Sequence, residues 1–212
     1  MEDIISVEKI AVIANGRIDD YNLIGQALKN YDQYIAVDGG LNHCLKLGIT
    51  PLLLIGDMDS VDPAVKKEYS NLKELSFESE KDATDLELAI QFLMTKSPKS
   101  LTVFGGYGHR VDHSLSNLIL LSRYPGKVFL ETENEILGVI KESLELSTSA
   151  GQTLSLIPIN GPVHGITTDG LKWELKDNTL DKDFIGISNE ALGKEIAVTV
   201  ANGDLLFSLH KS

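Results

Sequence analysis

Tyr34-Ile35-Ala36-Val37-Asp38-Gly39-Gly40 and, beyond an apolar helical stretch around Cys44, Leu52-Leu53-Leu54-Ile55-Gly56-Asp57-Met58-Asp59-Ser60 share one design. Each begins as an unbroken apolar run and stops abruptly at glycine and aspartate. A strand that is apolar on both of its faces must be covered on both, which is the condition of strands in a parallel sheet. The same design recurs at Ile10–Ala14, which ends in Asn15-Gly16, and at Leu101–Phe104, which ends in Gly105-Gly106. Val128–Leu130 is a further apolar run and Leu72–Phe77 a weaker one.

Helical patterns fill the intervals. Leu23, Ile24, Ala27 and Leu28 make one apolar stripe; Leu86, Ile90, Leu93 and Met94 make a second; Leu115, Leu118, Ile119 and Ser122 make a third. Asp62-Pro63 reads as an N-cap followed by proline at the first helical position. Strand–helix alternation of this kind predicts an α/β domain over residues 1–134, with a doubly wound, mostly parallel, Rossmann-like sheet.

The pattern changes after Asn134. Thr153–Ile157, Trp173–Leu175, Glu195–Val200 and Leu205–Leu209 read as short strands, with Asn160-Gly161, Asp169-Gly170 and Asn202-Gly203 as turns between them. Residues 135–212 are therefore expected to form a small all-β sandwich.

Composition narrows the range of functions. The chain has 212 residues, 42% of them hydrophobic, and a formal charge of −12. An acidic chain without a Lys/Arg cluster lacks the basic face that nucleic acid or an acidic membrane surface requires. No apolar run approaches the ~18 residues of a membrane span. Met1–Lys9 has no basic region followed by an apolar one, as a secretory leader would have. Cys44 is the single cysteine, so neither an internal disulfide nor a cysteine metal cage is expected. The expected location is the cytoplasm.

The chemistry-bearing residues cluster where the strands end. In an open parallel sheet, ligands bind beyond the carboxyl ends of the strands, and glycine there lets backbone amides approach a phosphate. Asn15-Gly16, Asp38-Gly39-Gly40, Gly56-Asp57 and Gly105-Gly106 together predict a nucleotide cleft. Asp57 and Asp59, two residues apart, offer the hard oxygens that suit Mg²⁺. Lys81-Asp82-Ala83-Thr84-Asp85-Leu86-Glu87 crowds charge at a helix start, where Thr84 and Glu87 have the spacing of a capping box. Gly105-Gly106-Tyr107-Gly108-His109-Arg110-Val111-Asp112-His113 is a glycine-rich loop carrying a cation that can meet phosphate with two bonds. It matches neither the P-loop nor the dinucleotide fingerprint. His43, His164 and His210 stand alone and are given no role.

These clusters, in this order, resemble the thiamine pyrophosphokinase family. Gly170-Leu171-Lys172-Trp173 and Ile187-Ser188-Asn189 extend the resemblance through the second half. It implies an enzyme that moves a diphosphoryl group from ATP to the hydroxyl of thiamine, with Mg²⁺, as a homodimer whose thiamine site is completed across the subunit interface. It implies Asp57, Asp59 and Asp85 around the metal and the reacting groups. It implies Asn15, Asp38, Gly39, Gly40, Lys81, Thr84, Arg110 and Asp112 as nucleotide or substrate contacts. Trp173 would stack on the pyrimidine ring, with Ser188 and Asn189 shaping that pocket. His109 stands where many members have glycine, and Trp173 where many bacterial members have tyrosine. The rival readings are a pyrophosphokinase of another heteroaromatic alcohol, such as a hydroxymethylpterin, and a non-catalytic nucleotide or thiamine sensor.

Overall fold

The computed structural model describes residues 9–77, 83–108 and 110–211, so the expectations placed on Lys81, Asp82 and His109 lie outside the described residues. The chain divides into two compact units. One is Met1–Asn117 with Leu130–Glu133; the other is Leu118–Phe129 with Asn134–Ser212.

The apolar runs before Asn134 become strands: β1 (Lys9–Ile13), β2 (Gln33–Val37), β3 (Leu53–Ile55), β4 (Lys73–Leu75), β5 (Ser100–Phe104) and β6 (Val128–Glu131). Their order is β4-β3-β2-β1-β5-β6. β1 pairs in parallel with β2 and β5, β2 with β3, and β3 with β4. Because these ladders are parallel, the Asp38, Gly56 and Gly105 turns all leave the same edge of the sheet. Ile10, Ala11, Val12, Ile13, Ile35, Ala36 and Phe104 are fully buried, as strands covered on both faces require.

Among the described residues five helices are interleaved: α1 (Tyr21–Leu28), α2 (Gly40–Leu47), α3 (Pro63–Glu68), α4 (Asp85–Met94) and α5 (Val111–Leu121). Their ends follow local chemistry. Asp20 caps α1 by accepting from the backbone N–H groups of Asn22 and Leu23, and Asp62 caps α3 ahead of Pro63 as expected. Thr84 caps α4, its Oγ1 accepting from the Glu87 N–H at 3.2 Å. The expected stripe on α5 does not face inward. Leu115 and Ile119 are exposed, and the buried positions near them are Ser114, Leu120 and Leu121. Both sets satisfy helical spacing, so periodicity alone does not separate them.

The second unit is all β among its named strands from Asn134 onward: β7 (Glu135–Ile140), β8 (Ser143–Ser147), β9 (Thr153–Asp169), β10 (Asn178–Leu180), β11 (Gly186–Glu190), β12 (Glu195–Thr199) and β13 (Asn202–His210). The path is β7-β13-β9-β12-β8, with β10 and β11 also on β9, and every pair is antiparallel. Leu154, Leu156, Val163, Ile166, Leu180, Ile196, Val198, Leu205 and Phe207 form its core.

Two local expectations are corrected here. Asn160-Gly161 is not a turn between strands. It is a kink inside the 17-residue β9, with φ of 61° and 126°, and pairing with β13 and β12 carries the strand through it. Trp173–Leu175 is not a strand either. Leu171 makes one isolated bridge to Ala191, and no named strand follows until β10.

Candidate active site

The turns at the sheet edge enclose a cleft of about 440 Å³. Its walls include Asn15 and Gly16 after β1, Asp38 after β2, Ser60 after β3, Thr84 and Asp85 at the start of α4, and Gly105–Gly108 and Arg110 after β5.

Glycine is obligatory at two positions in these turns, for steric reasons. A Cβ on Gly56 would lie 1.7 Å from Asp38 Oδ1, and its φ of +133° disfavours any side chain. A Cβ on Gly16 would meet two backbone oxygens, Gly105 O at 2.2 Å and Tyr107 O at 2.5 Å. The loops after β1 and β5 are thus in backbone contact: the Gly16 N–H donates to Gly105 O at 2.7 Å and the Arg17 N–H to Tyr107 O at 2.8 Å. Gly16→Ala must push them apart. It is expected to cost about 1–3 kcal/mol of stability and to weaken ATP binding. An unchanged melting temperature and unchanged ATP affinity would contradict this packing.

Three carboxylates meet at the cleft. Asp38, Asp57 and Asp85 each place an oxygen within 4.8 Å of the others. Asp38 sits at a left-handed φ of 46°, a strained conformation for a residue with a side chain and one that tight functional sites tolerate. Its Oδ1 accepts from the Met58 N–H at 3.2 Å. Burial, followed by the charges of Asp85 and Asp57, pushes its carboxyl up to about 7. Three acids this close together, Asp57 exposed and the other two half-buried, are electrostatically incomplete, and their all-oxygen donor set fits a hard divalent cation such as Mg²⁺. Asp59 is not one of the three. Its N–H donates to Asp57 Oδ1 at 3.0 Å and its carboxylate accepts from Ser60 Oγ at 2.7 Å.

The remaining expected residues are placed as follows. Gly39 packs against the Asn15 side chain, where a Cβ would come within 2.4 Å of Oδ1. Gly40 begins α2. Arg110 lines the cleft and is paired with Asp112. Both side chains are about two-thirds exposed, 66% and 65%. Beside Arg110 the Asp112 carboxyl is pulled down to about 2. Asn117 Nδ2 donates to Gly106 O at 2.6 Å, and Ser114 Oγ accepts from the Gly108 N–H at 3.2 Å, so α5 fixes the glycine loop from below.

In the second unit, Trp173 is 57% exposed and is not a core residue. Its backbone is held on both sides by the buried Asn189: the Trp173 N–H donates to Oδ1 at 3.1 Å, and Nδ2 donates to Trp173 O at 2.7 Å. Lys172 Nζ lies 4.8 Å from the centre of the indole ring and 2.8 Å from Glu190 Oε2. Ser188 adopts a left-handed φ of 59°, and its N–H donates to Ser155 Oγ at 3.0 Å.

The sequence reading missed the part played by Asp38 in the carboxylate cluster, as well as Asn42 and His43. The only available signal for the latter two was a pair of polar residues in the first turn of an otherwise apolar helix. His43 is half-buried between Gly16 O and Tyr21 OH, each at 2.8 Å. Burial lowers its pKa most, the Gly16 carbonyl opposes this, and Lys46 lowers it further. The folded state therefore favours the neutral ring. The stability this contributes is complete above the unfolded value of about 6.5 and is lost as pH falls through the lower folded value. Wild-type protein should lose more melting temperature between pH 7.5 and 5.5 than His43→Gln; equal losses would contradict it.

Known proteins resemble this chain in sequence and fold. The model of the thiamin pyrophosphokinase catalytic domain matches residues 24–131, and that of the thiamin pyrophosphokinase vitamin B1 binding domain matches residues 140–205. A thiamine pyrophosphokinase of Bacillus subtilis (strain 168) is 28% identical across 94% of this chain and 97% of its own length. Thiamine pyrophosphokinase 1 of Oryza sativa subsp. japonica is 27% identical across 78% of this chain and 68% of its own. The crystal structure of thiamine pyrophosphokinase from Bacillus subtilis superposes with a TM-score of 0.84 at 26% identity, covering 96% of this chain and 99% of that one. With both domain models matched in order on a fold that presents such a cleft, this chain belongs to the thiamine pyrophosphokinase family.

Proposed function

We propose that the chain catalyses transfer of the diphosphoryl group of ATP to the primary hydroxyl of thiamine, giving thiamine diphosphate and AMP. The observation that carries this reading is the carboxylate trio Asp38, Asp57 and Asp85 at the mouth of glycine turns in a chain of this family. The hydroxyl oxygen forms a bond to the β-phosphorus. The bond from that phosphorus to the oxygen bridging the α-phosphate breaks, and AMP departs with the bridging oxygen. Such a transfer depends on alignment and charge neutralisation rather than on covalent intermediates.

Asp38, Asp57 and Asp85 are the residues that would hold Mg²⁺. When bound, the ion supplies positive charge against the phosphate oxygens. Asp59, adjacent in sequence but outside the trio, is the carboxylate this assignment leaves to accept the hydroxyl proton, oriented by its bond from Ser60 Oγ. Gly16, Gly39, Gly40, Gly105, Gly106 and Gly108 let the turns pack closely against their neighbours, and the backbone amides of those turns are the groups we assign to the phosphates, with Asn15 and Thr84 on the cleft walls. Arg110, held in orientation by Asp112, adds charge at the mouth. Lys81 belongs to the same proposal through the family resemblance alone. In the second unit, Trp173 is the platform for the thiamine rings, with its backbone braced by Asn189 and with Ser188 nearby in sequence.

The finer architecture belongs to this proposal too. The parallel β4-β3-β2-β1-β5 order supports a doubly wound, Rossmann-like domain over residues 1–134, and the antiparallel pairing of the second unit supports a sandwich over 135–212. A homodimer with the thiamine site at its interface is supported by the exposure of five large apolar side chains, Trp173, Phe184, Ile185, Ile187 and Leu192, close together in the sequence, since exposed apolar surface is what an interface covers. No helix among the described residues is long and apolar enough to cross a membrane. We place the protein in the cytoplasm, where ATP and Mg²⁺ are both supplied.

Alcohol-dependent consumption of ATP tests the substrate. Thiamine should support turnover and 6-hydroxymethylpterin should not. Turnover with the pterin alone would favour the other pyrophosphokinase reading. Binding of ATP and thiamine with no turnover would favour a sensor.

A further inference from the structure

We propose that Asn42 and His43, consecutive residues in the first turn of α2, are positioning residues that separately fix the carboxylate loop and the phosphate loop of the cleft. The inference rests on the reading of the cleft as a Mg²⁺–nucleotide site.

Asn42 faces the loop after β3. Its Nδ2 donates to Ser60 O at 3.0 Å, and its Oδ1 accepts from the Asp62 N–H at 3.0 Å. One amide thereby saturates a donor and an acceptor of the backbone that carries Asp57 and Asp59. Within that loop Met58 has a left-handed φ of 66°, so the segment is strained and requires an external tether to hold a single conformation.

His43 faces the other way. Gly16 O accepts only, so the ring nitrogen 2.8 Å from it, Nε2, carries the hydrogen. Nδ1 is then the acceptor for Tyr21 OH, also at 2.8 Å. The neutral imidazole satisfies both partners with one tautomer, and Tyr21 opens α1. Gly16 is also the residue bonded to Gly105 O. Fixing it therefore fixes the loops after β1 and β5 together. α2 starts at the turn that carries Asp38, so its rigid first turn sets both loops against the same reference.

A merely structural role for the two residues would weaken both ligands in step with stability. A positioning role divides the effects. Asn42→Leu, His43→Phe and His43→Gln are to be compared with wild type by calorimetry, using Mn²⁺ titrated into nucleotide-free protein and AMP titrated without metal, with the melting temperature of each variant measured alongside. His43→Phe should weaken AMP by about fivefold or more and leave Mn²⁺ within about twofold. His43→Gln, whose Nε2 still donates, should restore most AMP affinity. Asn42→Leu should weaken Mn²⁺ by about fivefold or more and leave AMP within about twofold. If Asn42→Leu does not fold, Asn42→Ser, which is too short to reach both Ser60 O and the Asp62 N–H and adds no charge, should show the same split. Parallel weakening of both ligands, or no weakening of either, overturns the inference while wild-type binding leaves the functional reading standing. Failure of wild type to bind either ligand overturns both.

Discussion

Asp57→Asn should lower kcat by on the order of 10²–10³-fold while leaving the fold intact. Asparagine keeps the shape of the side chain and an oxygen that can accept from the Asp59 N–H, the bond that shapes the turn. What it removes is one negative charge from a trio whose oxygens lie within 4.8 Å of one another. That charge has opposite effects in two states. In the metal-free protein it repels Asp38 and Asp85, so its loss should leave the melting temperature unchanged or raise it. In the working enzyme it helps to hold the metal against the phosphates, so its loss should reduce turnover. Lower activity with undiminished metal-free stability separates a chemical role from a folding defect. Near-wild-type turnover at saturating Mg²⁺ would remove Asp57 from the mechanism.

Trp173→Ala should raise the KM for thiamine by about 2- to 30-fold, the equivalent of about 0.5–2 kcal/mol for a cationic heteroaromatic on a π face. The KM for ATP should scarcely change. Two observations make the effect separable from stability. The side chain is 57% exposed, so its removal opens no core cavity. The backbone at this position is held by Asn189 rather than by the indole. Lys172 already lies over the ring, so the ligand must take the opposite face or displace the ammonium from it; removal of Lys172 should therefore not raise the thiamine KM. A fall in stability of about 3–5 kcal/mol, as for a core tryptophan, with unchanged thiamine KM would refute the platform.

The first unit was legible in sequence because β1, β2, β3 and β5 are largely buried and each is followed within two residues by glycine, asparagine or aspartate; β4, whose residues are mostly exposed, was correspondingly the weakest signal. Ile10–Ala14, Tyr34–Val37 and Leu101–Phe104 all sit within one residue of a strand's limits. The carboxylate cluster was legible only in part. Asp57 and Asp59 share a short spacing, and from spacing alone both belong at the metal. Asp38 joins the trio through a non-local relation, the register that sets Val37 opposite Ile55, while left-handed Met58 intervenes between Asp57 and Asp59. In the second unit, local turn chemistry was the misleading signal. Asn160-Gly161 has the composition of a hairpin turn, yet β9 runs through it because Leu156 and Ile157 on one side and Thr167 and Thr168 on the other have partner strands. The strand expected over Trp173–Leu175 is absent, and the exposure of Trp173 comes from an irregular segment rather than from the alternation of a strand.

The nucleotide product tests the reaction most directly. Incubated with ATP, Mg²⁺ and thiamine, the protein should yield AMP and thiamine diphosphate in equal amounts, with no AMP formed when thiamine is withheld. Formation of ADP with thiamine monophosphate would contradict transfer at the β-phosphorus.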